Sequence, residues 1–308
     1  MEKLDSLPSE THIDVLIMAA SVDKRCYAVF EKFLTNCITI DRIVILDYAK
    51  TRPMPKSSEY SEYYKLNSYP NVEYIPCNTD GYDCEYISKA DFSSSSKVFI
   101  DITSISVPDI FRIFYVFKEF LKIETINVVY AEPGYYNYFN GLYFAYEEDV
   151  VEREYTPLSE YFTSAVSRDV VLVCFLGFER LISKYIHERK EHSDVIAING
   201  FPAYYPKLKD ISLAHNYELI STIGLNCVRY AQANNPFSAY NTLVEIKDSN
   251  TDKLLDICVL GSKPMALGAC MFALRNPQIV KVSYPFPKAS RVHTSIEVSN
   301  LWLYTITL

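Results

Sequence analysis

Four short segments of this 308-residue chain place cations and hydroxyls where apolar runs end. Ser21-Val22-Asp23-Lys24-Arg25 follows Ile13–Ala20, Asp101-Ile102-Thr103-Ser104 ends the run that starts at Lys97, Gly177-Phe178-Glu179-Arg180 follows Val170–Leu176, and Gly261-Ser262-Lys263-Pro264 follows Leu254–Leu260. Lys24, Arg25, Arg180 and Lys263 would meet phosphate oxygens, with Thr103, Ser104 and Ser262 as hydroxyl donors. Helices opening at Pro108 and Pro264 would add free N–H groups and a positive dipole end, which favour anions. Asn199 and Asn234 put amides at two further strand ends, where they would read a base or a sugar. Asp101 is the candidate general base if the site is catalytic, with no second carboxylate near it in sequence. Each of these residues also has an ordinary structural use. The arginines can pair with Asp23 or Glu179, and Thr103 and Ser104 are common turn and cap residues.

Several chemistries are excluded. Gly occurs 8 times, well under the usual share of about 7%, so the chain cannot carry many glycine-rich phosphate loops. Gly261-Ser262-Lys263-Pro264 lacks the upstream glycine and the Gly-Lys-Ser/Thr order of a Walker A loop, and no G-x-G-x-x-G follows either leading strand. Asp47 stands where a ribose-binding acid would, without the glycines that accompany one. The eight cysteines include no C-x-x-C and read as buried thiols, and the five histidines are scattered. No metal and no cofactor is expected. A net charge of −8 argues against a protein that coats nucleic acid, which requires surplus Lys and Arg. No run reaches the ~18 apolar residues of a membrane span, and the N-terminus has no apolar signal core, so a cytoplasmic protein with no membrane partner is expected.

The elements that must position these residues alternate along the chain. Strands are expected at Ile13–Ala20, Arg42–Leu46, Val72–Pro76, Lys97–Ile102 and Ile126–Tyr130, with helices at Cys26–Leu34 and Pro108–Leu121. Asn140-Gly141 between Tyr135–Phe139 and Leu142–Tyr146 predicts a Tyr-rich hairpin. The second half offers strands at Val170–Leu176, Val195–Asn199, Cys227–Ala231, Leu254–Leu260 and Val280–Tyr284. Its helices are expected at Arg180–Arg189, Leu208–Thr222, from Pro236 through Ile246, and at Pro264–Arg275, and Arg291–Val298 with Leu301–Leu308 predicts a terminal hairpin. Glu147–Leu158, with its acidic cluster and Pro157, reads as a linker. The expected fold is α/β: two Rossmann-like lobes, residues 1–150 and 151–308, each a mostly parallel sheet with flanking helices and a closing hairpin. The matching order of strand-end loops in the two halves predicts an internal duplication.

Gly261-Ser262-Lys263-Pro264-Met265-Ala266-Leu267-Gly268-Ala269 resembles the Gly-Thr-Lys-x-Met-Ala-type turn of CARF domains, the Rossmann-like sensors of CRISPR-associated proteins. Ser262 replaces the usual threonine, and Val259-Leu260 replaces the polar lead-in. Asp101-Ile102-Thr103-Ser104 looks like a degenerate form of the same motif. The resemblance implies a sensor of cyclic oligoadenylates in prokaryotic antiviral defence. With both lobes spanning the chain, its effector would be a separate protein subunit. The leading expectation is a sensor or regulatory subunit that binds an anionic, nucleotide-like ligand between two lobes. The alternatives are an enzyme acting on a nucleotide-type phosphate through Asp101, and a protein–protein adaptor, or homodimer, built on the Tyr-rich hairpins.

Overall fold

The computed structural model describes residues 1–20, 23, 25–47, 66, 69–77, 97–136, 146–157, 169–178, 192–289 and 295–308. Its strands are β1 (Glu2–Lys3), β2 (His12–Ala20), β3 (Thr39–Asp47), β4 (Val72–Pro76), β5 (Val98–Asp101), β6 (Thr125–Tyr136), β7 (Tyr146–Pro157), β8 (Val170–Phe175), β9 (Asp194–Gly200), β10 (Val228–Ala231), β11 (Leu254–Val259), β12 (Val280–Ala289) and β13 (Ser295–Thr307). The described helices are α1 (Arg25–Thr35), α2 (Val107–Glu119), α3 (Lys207–His215), α4 (Tyr217–Ile223), α5 (Pro236–Asp248) and α6 (Lys263–Arg275). The fold is α/β, with mostly parallel sheets flanked by helices. The chain forms two compact units, Met1–Asn137 with His293–Leu308, and Tyr138–Val292.

In unit 1 the sheet order is β1-β13-β6-β5-β2-β3-β4. Strands β2 to β6 are mutually parallel, and β13 runs antiparallel beside β6. Unit 2 has the order β10-β9-β8-β11-β12-β7, parallel except for β7 against β12. Both units therefore use one doubly wound order, with the strand order reversing between β2 and β5 in unit 1 and between β8 and β11 in unit 2. In such sheets ligands bind beyond the carboxyl ends of the strands at the reversal. A shared topology is what the structure shows of the expected duplication.

Central strands buried on both faces read as continuous apolar runs, and β2, β8 and β11 are almost wholly buried. Helix α2 is apolar nearly all round, and Ile110, Phe111, Ile113, Phe114, Val116 and Phe117 are each at most 2% exposed. Burial of this kind contributes about 1.5–3 kcal/mol per side chain. The buried Asp109 and Arg112 on the same helix pair at 3.0 Å. Helix α6 packs on α5 through Gly268, where an added Cβ would lie 2.2 Å from the Pro236 carbonyl oxygen. That glycine of the CARF-like segment therefore serves helix packing.

Three expectations are corrected. First, the terminal hairpin is one continuous strand. Ser299-Asn300 resembles a turn in sequence, but β13 passes through it with a register shift between Val298 and Asn300 while paired to β6. Buried Glu132 fixes that register, accepting from Ser299 Oγ at 2.8 Å, Asn300 Nδ2 at 2.9 Å and Trp302 Nε1 at 2.7 Å. Second, the described ends of the expected hairpin have other partners: Tyr135 and Tyr136 pair with Ile296 and Ser295, and Tyr146 pairs with Ala289. The turn itself, with Tyr138 and Tyr143, lies outside the described residues. Third, the expected linker at 147–158 is largely β7, so a boundary at 150 would cut a strand. Residues 295–308, expected in the second lobe, complete unit 1. The expected helix Leu208–Thr222 is interrupted at Asn216, and the expected helix Arg180–Arg189 lies outside the described residues.

Candidate functional site

At the switch point of unit 1, β2 leads through Asp23 into α1, while β5 ends on Asp101 and turns through Ile102–Ser106 into α2. Ser106 caps α2 by accepting from the Asp109 N–H at 3.3 Å, and Pro108 stands in the first turn. These backbone choices bring Arg25, Asp101, Thr103 and Ser104 to one end of the sheet, as the sequence predicts for that half.

The structure uses Arg25 internally. Its guanidinium donates from Nη2 to Asp23 Oδ2 at 2.7 Å, from Nε to Ser295 Oγ at 2.9 Å, and from Nη1 to the Ala131 carbonyl at 2.8 Å. Ser295, the first residue of β13, donates to the same Asp23 oxygen at 2.6 Å. The Ala131 N–H donates to Thr103 Oγ1 at 2.9 Å, and Thr103 donates to Asp101 Oδ1 through both its hydroxyl and its N–H, the latter at 2.9 Å. One hydrogen-bonded chain thus runs from the start of β13 to Asp101. Ser295 is a member that sequence reasoning missed, because it lies 270 residues from Arg25.

Two polar atoms at the end of this chain have no hydrogen-bond partner, Asp101 Oδ2 and Ser104 Oγ, and both are buried. Burial raises the Asp101 pKa from 3.8 to about 7, against the lowering effect of the Thr103 hydrogen bonds and the Arg25 charge. Asp101 therefore exchanges its proton near neutral pH.

The switch point of unit 2 is built differently. β11 ends on Val259 and turns through Leu260–Ser262 into α6. Ser262 caps that helix, accepting from the Met265 N–H at 3.3 Å and donating to the Ala233 carbonyl. Lys263 is the first helical residue and is partly exposed, with Pro264 next. A Cβ on Gly261 would sit 3.3 Å from Met265 Sδ and 3.5 Å from Phe175 Cβ, so the glycine keeps this turn close to its neighbours. After β8, the Gly177 carbonyl accepts from Ser212 Oγ at 2.9 Å and Asn216 Nδ2 at 3.0 Å. These two residues carried no signal in sequence.

Asn199 is 1% exposed and donates to the Lys209 carbonyl at 3.1 Å, so it ties β9 to α3. Asn234 is partly buried beside Asn235, and Asn235 is the residue that caps α5, accepting from the Phe237 N–H at 3.0 Å. Lys24 and Arg180 lie outside the described residues. Among the described cysteines all are free thiols, and most are buried. The described residues contain one group with the donors to grip a metal ion, His12, Asp14 and Asp41, at the opposite end of β2 and β3. No described helix is long and apolar enough to cross a membrane.

No protein-family model matches the sequence, and no curated protein does. Among solved structures, the chain is similar to a functionally unknown protein from Pseudomonas aeruginosa PAO1, at 9% identity over 89% of this chain and 93% of that one, with a TM-score of 0.27. It is similar to a putative universal stress protein from Pseudomonas aeruginosa UCBPP-PA14, at 9% identity over 89% and 94% of the two chains, with a TM-score of 0.28. A universal stress protein from Archaeoglobus fulgidus DSM 4304 aligns at 12% identity over 90% and 97%, with a TM-score of 0.24.

Proposed function

We propose that this chain is a sensor or regulatory subunit that binds an anionic, nucleotide-like small molecule at the switch points of its α/β units. One observation carries the reading: in both units the strand beside the switch point turns into a helix opened by a capping serine and a proline, Ser106-Val107-Pro108 and Ser262-Lys263-Pro264. Each such helix start presents N–H groups and a positive dipole end toward the ligand side of the sheet. In unit 2 the side chain of Lys263 adds a cation at that position. The CARF-like segment Gly261–Ala269 lies at this turn, which places cyclic oligoadenylates in the set of ligands to try. In this reading the bound state is conveyed to a separate effector subunit.

Calorimetry on the full chain with nucleoside mono-, di- and triphosphates and cyclic oligoadenylates tests the reading. Binding of at least one of these, weakened about tenfold in Lys263→Ala, is expected. Absence of binding across the panel, or binding indifferent to Lys263, overturns it.

A second reading, an enzyme acting on a nucleotide-type phosphate, is favoured by Asp101, whose pKa of about 7 suits a general base at neutral pH. Product formation by the wild type that disappears in Asp101→Asn would select this reading over simple binding.

A further inference from the structure

The amino ends of β2 and β3 carry a side-chain group that the proposed function does not use. His12 and Asp14 are two residues apart on β2, so they share one face of the strand. Strand β3 runs parallel beside it, with His12 opposite Thr39 and Val15 opposite Arg42, which sets Asp41 next to Asp14. Carboxylates side by side on neighbouring strands repel, and a cation between them removes that cost. His12 Nε2 lies 3.2 Å from Asp14 Oδ1 and 3.0 Å from Asp41 Oδ2, and all three donor atoms lie within 4.8 Å of one another. Atoms bound to one metal ion at about 2.0–2.2 Å stand about 2.8–3.6 Å apart, so both nitrogen–oxygen separations are already those of coordinated atoms. The parts of each ligand that an ion would not use are held by other residues. Thr39 Oγ1 lies 3.0 Å from His12 Nδ1, where accepting that N–H leaves the lone pair on Nε2. The Lys97 N–H donates to Asp14 Oδ2, so Oδ1 is the oxygen turned to His12. Asn71 Nδ2 donates to the Asp41 carbonyl at 3.1 Å and fixes the backbone that carries the third ligand. Outer contacts of this kind orient the ligands of metal sites. Access is open, since the side chains of His12, Asp14 and Asp41 are 52%, 35% and 62% exposed.

We propose that His12, Asp14 and Asp41 bind a divalent transition-metal ion of the zinc class, with water in the remaining coordination positions. Two carboxylates and a neutral imidazole offset the double charge of the ion. The imidazole favours zinc over magnesium and calcium, which take oxygen ligands. The bound ion ties β2 to β3 at the end of the sheet opposite the switch point, so the proposal stands apart from the nucleotide reading. The scattered histidines concealed it in sequence, because Asp41 reaches the other two ligands only through the pairing of β2 with β3.

The test is calorimetric titration of the full chain, in chelator-free buffer, with zinc, manganese, magnesium and calcium chlorides. Saturable zinc binding is expected, with manganese weaker and with magnesium and calcium at least tenfold weaker than zinc. His12→Ala and Asp41→Asn should each weaken zinc at least tenfold, and Thr39→Val about tenfold through loss of the contact that orients the imidazole. All three positions are exposed, so thermal melts without metal should show the variants folded. Zinc should raise the melting temperature of the wild type and not that of His12→Ala. Cobalt in place of zinc should give the visible bands of nitrogen and oxygen ligation without the near-ultraviolet band of a thiolate. Cys37→Ser, which removes an exposed thiol, should leave zinc affinity unchanged. Zinc binding indifferent to His12 and Asp41, a cobalt–thiolate band, or magnesium bound as tightly as zinc overturns the proposal. Absence of saturable zinc binding also overturns it and leaves His12 as a hydrogen-bonded bridge between two carboxylates. None of these results bears on the nucleotide panel, whose outcome should be the same in His12→Ala as in the wild type.

Discussion

The turn after β5 and the turn after β11 occupy the same place in the same strand order, yet they are built from opposite materials. In unit 1 the strand ends on a buried acid, and the turn runs through Ile102–Ser106. In unit 2 it ends on Val259, and the turn is two residues shorter, through Leu260–Ser262. The longer turn has room for Thr103 and Ser104, whose hydroxyls enter the interior of unit 1. The shorter one relies on backbone and Gly261, and it puts Lys263 at the partly exposed start of α6. A shared topology therefore does not carry a shared chemistry: the side chains that end the strand and line the turn set what each place contains.

The largest test of this contrast is Arg25→Ala against Lys263→Ala. Removing Arg25 leaves Asp23 in a mostly buried setting without its ion-pair partner and the Ala131 carbonyl without its donor. It should cost about 3–5 kcal/mol in urea denaturation. Lys263→Ala, at a partly exposed position, should cost about 1 kcal/mol or less. Comparable losses at the two sites would break the distinction between an internal and a partly exposed cation.

Next in size is the pH dependence of unit 1. The folded protein holds a proton on Asp101 up to about pH 7, whereas the unfolded chain releases it near 3.8. The native state therefore binds more protons across this window, and stability falls as pH rises from about 4 to 7, then levels off. At about 1.4 kcal/mol per pKa unit the total is on the order of 4 kcal/mol. Asp101→Asn should flatten the contribution, as measured by denaturation midpoints at pH 4.5, 6 and 8. Unit 2 has Val259 at the equivalent strand end and supplies no such slope there. An unchanged slope in the variant would place the titration elsewhere.

The smallest expected effect concerns what the two sites share. Ser106→Ala and Ser262→Ala should each cost about 1 kcal/mol, the usual worth of an N-cap. A loss confined to one of them, read from thermal melts of the two variants, would show that the two helix starts are not equivalent.

Much of this was legible in the sequence. The apolar runs of β2, β8 and β11 and the Ser-x-Pro openings of α2 and α6 are local signals, and each element lies within a few residues of where its pattern puts it. The grouping of Arg25 with Asp101, Thr103 and Ser104 also followed, because strand-end loops of a doubly wound sheet converge by topology. A pairing of Arg25 with Asp23 was one of two open readings, whereas the further partners of Arg25 and the inward use of Ser262 did not follow. Whether a hydroxyl or guanidinium faces a ligand or a carbonyl depends on partners such as Ser295 and Ala233, which lie far away along the chain.

The closing strands draw the same line more sharply. Sequence alone marked a β-rich segment after β12, since alternation and turn residues are properties of neighbouring residues, while most of the stretch that forms β7 read as an acidic linker. It could not determine their partners, because antiparallel pairing is selected by contacts between segments. Glu132 receiving Ser299, Asn300 and Trp302 sets β13 against β6, and a pattern that resembles a hairpin becomes one strand of unit 1. β7 likewise joins β12, although it follows β6 in the chain. Only the tertiary structure decided which unit each closing strand completes, for β13 through buried polar contacts distant in sequence.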